Sequence, residues 1–311
     1  MDQPAYDVAI VGGGPAGMTA AIYCARKKLK VIMLTQDLGG QAAWSSDVEN
    51  YLGFSMITGT ELTKHFQDHL DEFKEEITLK LMNTGVQSLA KQGRSFRLEY
   101  NRGQVAVAKS VIIASGKRPR ELGIPGERGF LHKGVTYCAW CDGPLFKGKT
   151  VAIIGGGNSA LDAALSVQPL VKEIYIINNT SELTADEVMI EKATTAANIR
   201  IMNDARVLQV VGEKFVNGVK IHDGDTGLEK TIAAEGIFVE IGSVPATDYL
   251  QSVVELNDQA EVVIDARNMT NLPGVFAAGD VTNVIDKQII IAAGEGAKAG
   301  IECSKWLAKQ P

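Results

Sequence analysis

The sequence predicts an α/β protein built from two Rossmann-like, three-layer dinucleotide-binding domains, the second inserted into the first. Three observations predict it. A strand, a glycine turn and a helix occupy residues 6–27, and the same block recurs at residues 149–167. A late strand, 271–280, ends in Gly279-Asp280 and resumes the first fold. At 311 residues the chain also exceeds the size that one core usually organises.

Composition narrows the class. With 45% hydrophobic and 22% charged residues, the chain has enough apolar surface for ordinary globular cores. A net charge of −6 argues against general nucleic-acid or membrane-surface binding. No apolar run approaches the roughly 20 residues that cross a bilayer. Asp2 and Asp7 precede the first strand in place of a basic leader, so a cytoplasmic protein is expected. Four cysteines are too few for a disulfide-stapled fold, and one CxxC pair without a second predicts no metal site. Cys24 and Cys303 lie in apolar helical patterns and read as buried thiols. His65 and His69 are spaced four apart, but on an acidic amphipathic stretch that reads as a solvated helix face.

The elements follow in order. The apolar run 6–11 is a strand, and Gly12-Gly13-Gly14-Pro15-Ala16-Gly17 turns it into a helix over 18–27. Gly12 permits the tight turn, Gly14 lets backbone amides approach a pyrophosphate, and Gly17 lets the helix pack on its strand. The helix N-terminus adds positive potential for phosphates. Strand 30–35 ends in Thr35 and Gln36 rather than the usual acid for a ribose hydroxyl. Strand 149–154, the turn Gly155-Gly156-Gly157-Asn158-Ser159-Ala160, a helix from 161 limited by Pro169 and strand 173–177 repeat the unit. Gln288 then opens a helix over 288–299 whose N-terminus faces the first cleft. The expected division is 1–115 with 246–311 as one domain and 116–245 as the insert.

Within the insert stands Cys138-Ala139-Trp140-Cys141-Asp142-Gly143. Two thiols at this spacing can close a small reactive disulfide, and a carboxylate beside them can manage a proton. Beside a dinucleotide fold, the pair narrows the reaction to dithiol–disulfide exchange.

Together with Gly39-Gly40-Gln41, Val48-Glu49-Asn50-Tyr51 and Ile112-Ile113-Ala114-Ser115-Gly116, these motifs occur in the order found in one family. Over nearly its whole length the chain resembles the low-molecular-weight thioredoxin reductases of bacteria and archaea. The resemblance implies FAD in the first domain, a homodimer and a thioredoxin or thioredoxin-like acceptor. It implies flavin contacts from Gly12, Gly14, Pro15, Ala16, Gly17, Thr35, Gly40, Gln41, Asn50, Ala114, Gly116, Gly279, Asp280, Gln288 and Ile289. It also implies that Cys141 exchanges electrons with the flavin, that Cys138 attacks the acceptor disulfide, and that Asp142 is the acid/base. Trp140 replaces the small residue often found between the cysteines, and its role stays open.

One departure matters. NADPH-using members follow their second strand with a His-Arg-Arg run that grips the 2′-phosphate. Here residues 177–184 read Ile-Asn-Asn-Thr-Ser-Glu-Leu-Thr, without one cation. No acid stands at the strand end to favour NADH either. The chain is similar in this to the ferredoxin-dependent branch of the family, so ferredoxin is the expected donor. Arg26-Lys27-Lys28 with Lys30, and Lys117-Arg118 with Arg120, are the basic stretches that an acidic donor would meet. Two alternatives stay open: an NAD(P)H-dependent enzyme of atypical nucleotide preference, and an insert holding a second flavin or other ligand with a different acceptor.

Overall fold

The computed structural model describes residues 5–45, 48–250 and 253–310, without the side chains of Trp140 and Cys141. In chain order the strands begin with β1 (Tyr6–Val11), β2 (Val31–Thr35), β3 (Ile77–Leu81), β4 (Val86–Gln92), β5 (Ser95–Tyr100) and β6 (Gln104–Ile113). The chain continues through β7 (Lys117–Pro119), β8 (Val135–Thr136), β9 (Thr150–Ile154), β10 (Glu173–Ile177) and β11 (Ile199–Met202). It ends with β12 (Ala205–Gly212), β13 (Val216–Asp223), β14 (Glu229–Ala233), β15 (Gly236–Val239), β16 (Ser243–Pro245) and β17 (Val275–Ala277). The helices are α1 (Pro15–Ala25), α2 (Gly59–Asp71), α3 (Ala139–Asp142), α4 (Asn158–Val167), α5 (Glu187–Thr195) and α6 (Ile289–Leu307).

Two units separate: Met1–Arg118 with Val244–Pro311, and Pro119–Ser243. In the first, the sheet order is β3-β2-β1-β6-β5-β4, with β17 also paired to β6. β1, β2, β3, β6 and β17 run parallel, and β4 and β5 join as an antiparallel meander. Parallel strands covered on both faces need apolar residues at every position, and β2 is buried throughout. Val8, Ile10, Met33 and Ile112 face α1 and α6. Ala9, Val11, Ile32 and Leu34 pack with Leu89, Phe96 and Leu98 of the meander. Three layers result.

Local chemistry sets the helices. Pro15 opens α1, where its fixed φ suits the first turn and its missing N–H costs nothing. Thr58 and Glu61 form a reciprocal capping box on α2. α6 crosses α1 on small residues: a Cβ on Gly296 would stand 2.1 Å from the Ala16 carbonyl oxygen. The helix starts one residue after the expected position and runs on to Leu307, with Gln288 as its N-cap. The expected strand 271–280 is shorter, because Pro273 cannot donate to a ladder and Gly274 turns at φ +91°.

The second unit repeats the plan. A parallel sheet, β11-β10-β9-β15-β8, carries α4 on one side, where Val151 and Ile153 meet Ala160 and Ala164. On the other side Ala152 and Ile154 pack with Val210, Val219 and Ile221 of the antiparallel sheet β12-β13-β14.

Candidate functional site

In the first unit, the glycine turn between β1 and α1 is built by contacts that exclude side chains. Gly12 adopts φ +114°, and a Cβ there would lie 2.1 Å from the Ala114 carbonyl oxygen. A Cβ on Gly17 would lie 2.0 Å from the Gly12 carbonyl oxygen. Gly14 differs: the nearest atom to a Cβ is the Gly39 oxygen at 3.9 Å, so this position opens on space at the start of α1. Backbone amides at a helix N-terminus beside open space fit a pyrophosphate.

Of the other expected contacts, Gly40 lies beside that opening, where a Cβ on it would stand 3.4 Å from the Gly14 Cα. Gly279 turns at φ +77° after β17, with Ala16 close beneath it. Asp280 follows; burial raises its carboxyl pKa, while the Lys287 and Lys117 charges pull it down. Asn50 Nδ2 donates to Gln288 Oε1 at 3.1 Å, joining a loop to the first turn of α6. Gln41 Nε2 donates to the Lys117 carbonyl at 2.7 Å. Gly40 and Gly116 take positive φ, and Ile289 packs near Val48 and Leu62. Thr35 is buried beneath Gly13, and its hydroxyl donates to the Asp37 carbonyl at 2.5 Å. Its side chain therefore props the turn.

The second unit holds the disulfide turn. Cys138 is disulfide-bonded; the Cys141 and Trp140 side chains lie outside the described residues, although their backbone forms part of α3. Cys138 N–H donates to Thr136 Oγ1 at 3.1 Å, and that hydroxyl donates to Asp142 Oδ2 at 2.5 Å. Asp142 is thus fixed to the same turn as Cys138. Thr136 escaped the sequence reading because it belongs to no motif.

The second glycine turn has the same backbone frame. A Cβ on Gly155 would stand 2.2 Å from the Glu240 carbonyl oxygen, and one on Gly156 would strike the Asn178 side chain at 2.4 Å. Asn178 is 2% exposed, and its Nδ2 donates to the carbonyls of Thr180 and Glu182 and to Asn203 Oδ1. Its Oδ1 accepts from the Thr180 hydroxyl. Thr184 N–H donates to the Gly156 carbonyl at 2.8 Å, and Asp186 N–H donates to Asn158 Oδ1. The loop after β10 is folded on itself.

The basic stretches divide. Arg26 and Lys27 line a cavity of about 1090 Å³ with Arg94, Lys109 and Lys305, at the C-terminal ends of α1 and α6. The length of α1, ~16 Å at 1.5 Å per residue, separates them from the glycine turn. Lys117 pairs with Glu261 and Arg118 with Asp248. Among the described residues there is no cluster that could hold a metal, and no helix is long and apolar enough to cross a membrane. Cys24 and Cys303 are free and fully buried, and His65 and His69 are exposed.

Two glycine-turn units, one of them carrying a disulfide, define the class of dinucleotide-fold oxidoreductases with a redox disulfide. The chain belongs to the pyridine nucleotide-disulphide oxidoreductase family, whose model matches residues 6–296. It is 41% identical over 302 residues to an alkyl hydroperoxide reductase subunit of Staphylococcus aureus, covering 97% of this chain and 59% of that protein. The chain therefore spans about three-fifths of that relative's length. Among solved structures, thioredoxin reductase of Lactococcus lactis matches with TM-score 0.86 at 33% identity, over 98% of this chain and all of the other. Thioredoxin reductase of T. acidophilum matches with TM-score 0.83 at 40% identity, over 96% and 98%. A ferredoxin-flavin thioredoxin reductase from Clostridium acetobutylicum matches with TM-score 0.55 at 31% identity, over 99% of each chain. The cofactor of this family is FAD, and the open cradle at Gly14 fits its pyrophosphate.

Proposed function

We propose that the chain is a flavin-dependent disulfide reductase that reduces thioredoxin or a thioredoxin-like protein through Cys138 and Cys141, with reduced ferredoxin as donor. Bound FAD supplies the ability to collect single electrons and pass on two. Gly12, Gly14, Pro15, Ala16 and Gly17 hold its pyrophosphate. Asp280 binds its ribityl chain. Gly40, Gln41, Asn50, Ala114, Gly116, Gly279, Gln288 and Ile289 line it, and Thr35 supports the turn from below. With FAD bound, Cys141 would be the sulfur of the pair that receives its electrons. The Cys138 thiolate attacks the acceptor disulfide, giving a mixed disulfide and an acceptor thiolate; Cys141 then resolves it, restoring the intrachain disulfide and releasing the reduced acceptor. Asp142, held by Thr136, manages the proton of the departing sulfur. The resemblance to thioredoxin reductases supports a homodimer as the working form.

One observation carries the choice of donor. Between Ile177 and Glu187 there is no Lys, Arg or His, and Asn178 spends its side chain inside its own loop. Charge-assisted contacts to phosphate contribute roughly 1.5–3 kcal/mol each, so lacking two weakens NADPH by about two to four orders of magnitude. The energetics allow the alternative: from about −400 mV for a plant-type ferredoxin to about −270 mV for thioredoxin, two electrons release about 6 kcal/mol. The similarity to the ferredoxin-flavin enzyme supports it further.

A second reading keeps the acceptor but takes NADH, and the intact backbone of the Gly155–Gly157 turn favours it. Anaerobic titration of the flavin with NADH, NADPH and reduced ferredoxin separates the two. Bleaching by ferredoxin alone is the expected result, and rapid bleaching by micromolar NADH or NADPH overturns it. The likeness to a subunit of alkyl hydroperoxide reductase supports a hydroperoxide-reducing partner as the alternative acceptor; parallel turnover assays with both acceptors decide.

A further inference from the structure

The cavity at the C-terminal ends of α1 and α6 has no part in the site described above. Its walls all belong to the first unit. Five cations line it, Arg26, Lys27, Arg94, Lys109 and Lys305, against a single acid, Asp7. That acid is already engaged: it accepts from Lys109 Nζ at 2.7 Å and from the Lys30 amide at 2.9 Å. Lys305 pairs with Glu302 at 2.7 Å. Arg26, Lys27 and Arg94 have no acidic partner among the described residues.

Helix ends explain only part of this charge. A C-terminus attracts cations, which accounts for Lys305 in the last turn of α6 and for Arg26 and Lys27 after α1. It does not account for Arg94, at the tip of the turn between β4 and β5, or for Lys109 on β6. The last carbonyls of α1 are also met by the chain itself. Lys27 N–H donates to the Cys24 carbonyl at 2.9 Å, and Lys28 N–H to that of Ala25 at 2.8 Å. Separate segments therefore bring cations to one cavity, and converging like charges disfavour the folded chain unless an anion offsets them.

The rest of the wall is largely apolar and partly aromatic, with Tyr23, Leu29, Ile301, Trp306 and Leu307. Tyr23 and Ile301 are 39% and 38% exposed, high for side chains of this kind. Trp306 is held in place: a Cβ on Gly274 would lie 2.9 Å from its ring and 3.0 Å from that of Phe96. Apolar and aromatic walls with a few convergent charges are the form of a small-ligand site, and about 1090 Å³ gives one ample room. Guanidinium groups grip phosphate oxygens in pairs, and aromatic side chains accept the face of a base. We propose that this cavity binds a nucleoside polyphosphate, with its phosphates on Arg26, Lys27 and Arg94 and its base against Tyr23 and Trp306. A second copy of the chain fits less well, because a two-fold contact here sets the same cations against themselves. Occupancy requires neither electron donor nor disulfide acceptor.

Calorimetric titration of the FAD-loaded holoprotein, free of magnesium and at about 0.15 M salt, tests this with ATP, inorganic triphosphate and adenosine. ATP should bind at one site per chain with Kd below about 0.1 mM. Arg26→Gln and Arg94→Gln should each weaken it about tenfold or more, the size of one lost charge-assisted contact. Tyr23→Ala, which leaves the cations in place, should weaken ATP but not triphosphate. Gly157→Ala narrows the other open glycine turn and should leave the ATP titration unchanged. Absent ATP binding, triphosphate binding as tight as ATP, or an ATP affinity untouched by both arginine variants overturns the proposal. So does a change of oligomeric state in those variants by sedimentation velocity, which would make the patch an interface between copies. Failure of the proposed thioredoxin reduction appears separately, as absent turnover with ATP binding intact.

Discussion

The two glycine turns of this chain share a backbone and differ in what surrounds them. Gly13 rests on Thr35 as Gly156 rests on Asn178, and Gly39 N–H meets the Gly13 carbonyl as Thr184 N–H meets that of Gly156. The side chains break the match. Beside the first cradle stands Gly39, which offers no side chain; beside the second stands Thr184, whose hydroxyl would lie 3.6 Å from a Cβ on Gly157. The first has a strand-end alanine, the second Glu240. Asp280 sits with Lys117 and Lys287, whereas Glu240 sits with Asp162. A fold that holds a dinucleotide in one unit serves the disulfide turn in the other, and the change lies in a few side chains on an unchanged frame.

The sharpest way to break this comparison is a matched pair of substitutions. Gly14 and Gly157 both precede their helices with negative φ (−75° and −95°), so alanine fits either backbone without strain. Gly14→Ala should reduce FAD affinity about 10- to 100-fold, because a methyl group enters the space the pyrophosphate needs. Gly157→Ala should leave flavin content and ferredoxin-driven turnover unchanged. Flavin release on ultrafiltration, with circular dichroism as the fold control, reads both. Equal loss of turnover with ferredoxin in the two variants would mean that the second cradle is also in use.

Next comes restoration of the missing charge. Asn179 and Thr180 are exposed, and Asn179→Arg with Thr180→Arg places two guanidinium groups at the end of β10. NADPH-driven flavin reduction should improve about 100-fold or more in kcat/KM, at roughly 1.5 kcal/mol or more for each charged contact. No gain would show that Glu240 or Thr184, rather than the lost cations, shuts out the nucleotide.

The frame was legible in the sequence because its causes are local. Glycines forced by backbone contact, Pro15 at a helix start and buried parallel strands leave marks at fixed spacing. The insert read as 116–245 separates as Pro119–Ser243, and boundary placement depends on contacts that no spacing encodes. Asn178 was legible as a departure but not as a buried hub, because its partners Thr180, Glu182 and Asn203 form no pattern. Thr136 and Glu240 were invisible for the same reason. Each acts through hydrogen bonds made by the fold: Thr136 through two, to Cys138 and Asp142 within six residues, and Glu240 through one, to Ala139 across a hundred residues of chain.

The Asn178 hub offers a smaller effect. Asn178→Ala leaves the carbonyls of Thr180 and Glu182 and the Asn203 side chain without their shared donor. These acceptors lie on exposed or half-buried residues that water reaches, so the loss should be about 0.5–1.5 kcal/mol, read as a shift of holoprotein unfolding in urea to lower denaturant. Thr35→Ala, which removes one such bond, should cost less. A larger loss at Thr35 would reverse the contrast between a propped turn and a self-satisfied loop.

The smallest expected effect follows from the two strand-end acids. Glu240 ionises near 8 in the folded protein but near its ordinary 4.5 when unfolded. Between those values the folded chain holds a proton that the unfolded chain has lost, so stability falls as pH rises through that window. The contribution is full below about pH 4.5 and gone above about pH 8. Asp280 is raised too, but Lys287 and Lys117 oppose the shift, so its share of the slope is smaller. Glu240→Gln removes the larger share. Thermal unfolding of holoprotein from pH 5.5 to 9 should show the wild-type Tm falling further with rising pH than that of Glu240→Gln. Parallel curves would mean that Glu240 ionises as readily in the folded turn as in the open chain, and the electrostatic contrast between the units would then rest on Asp280 alone.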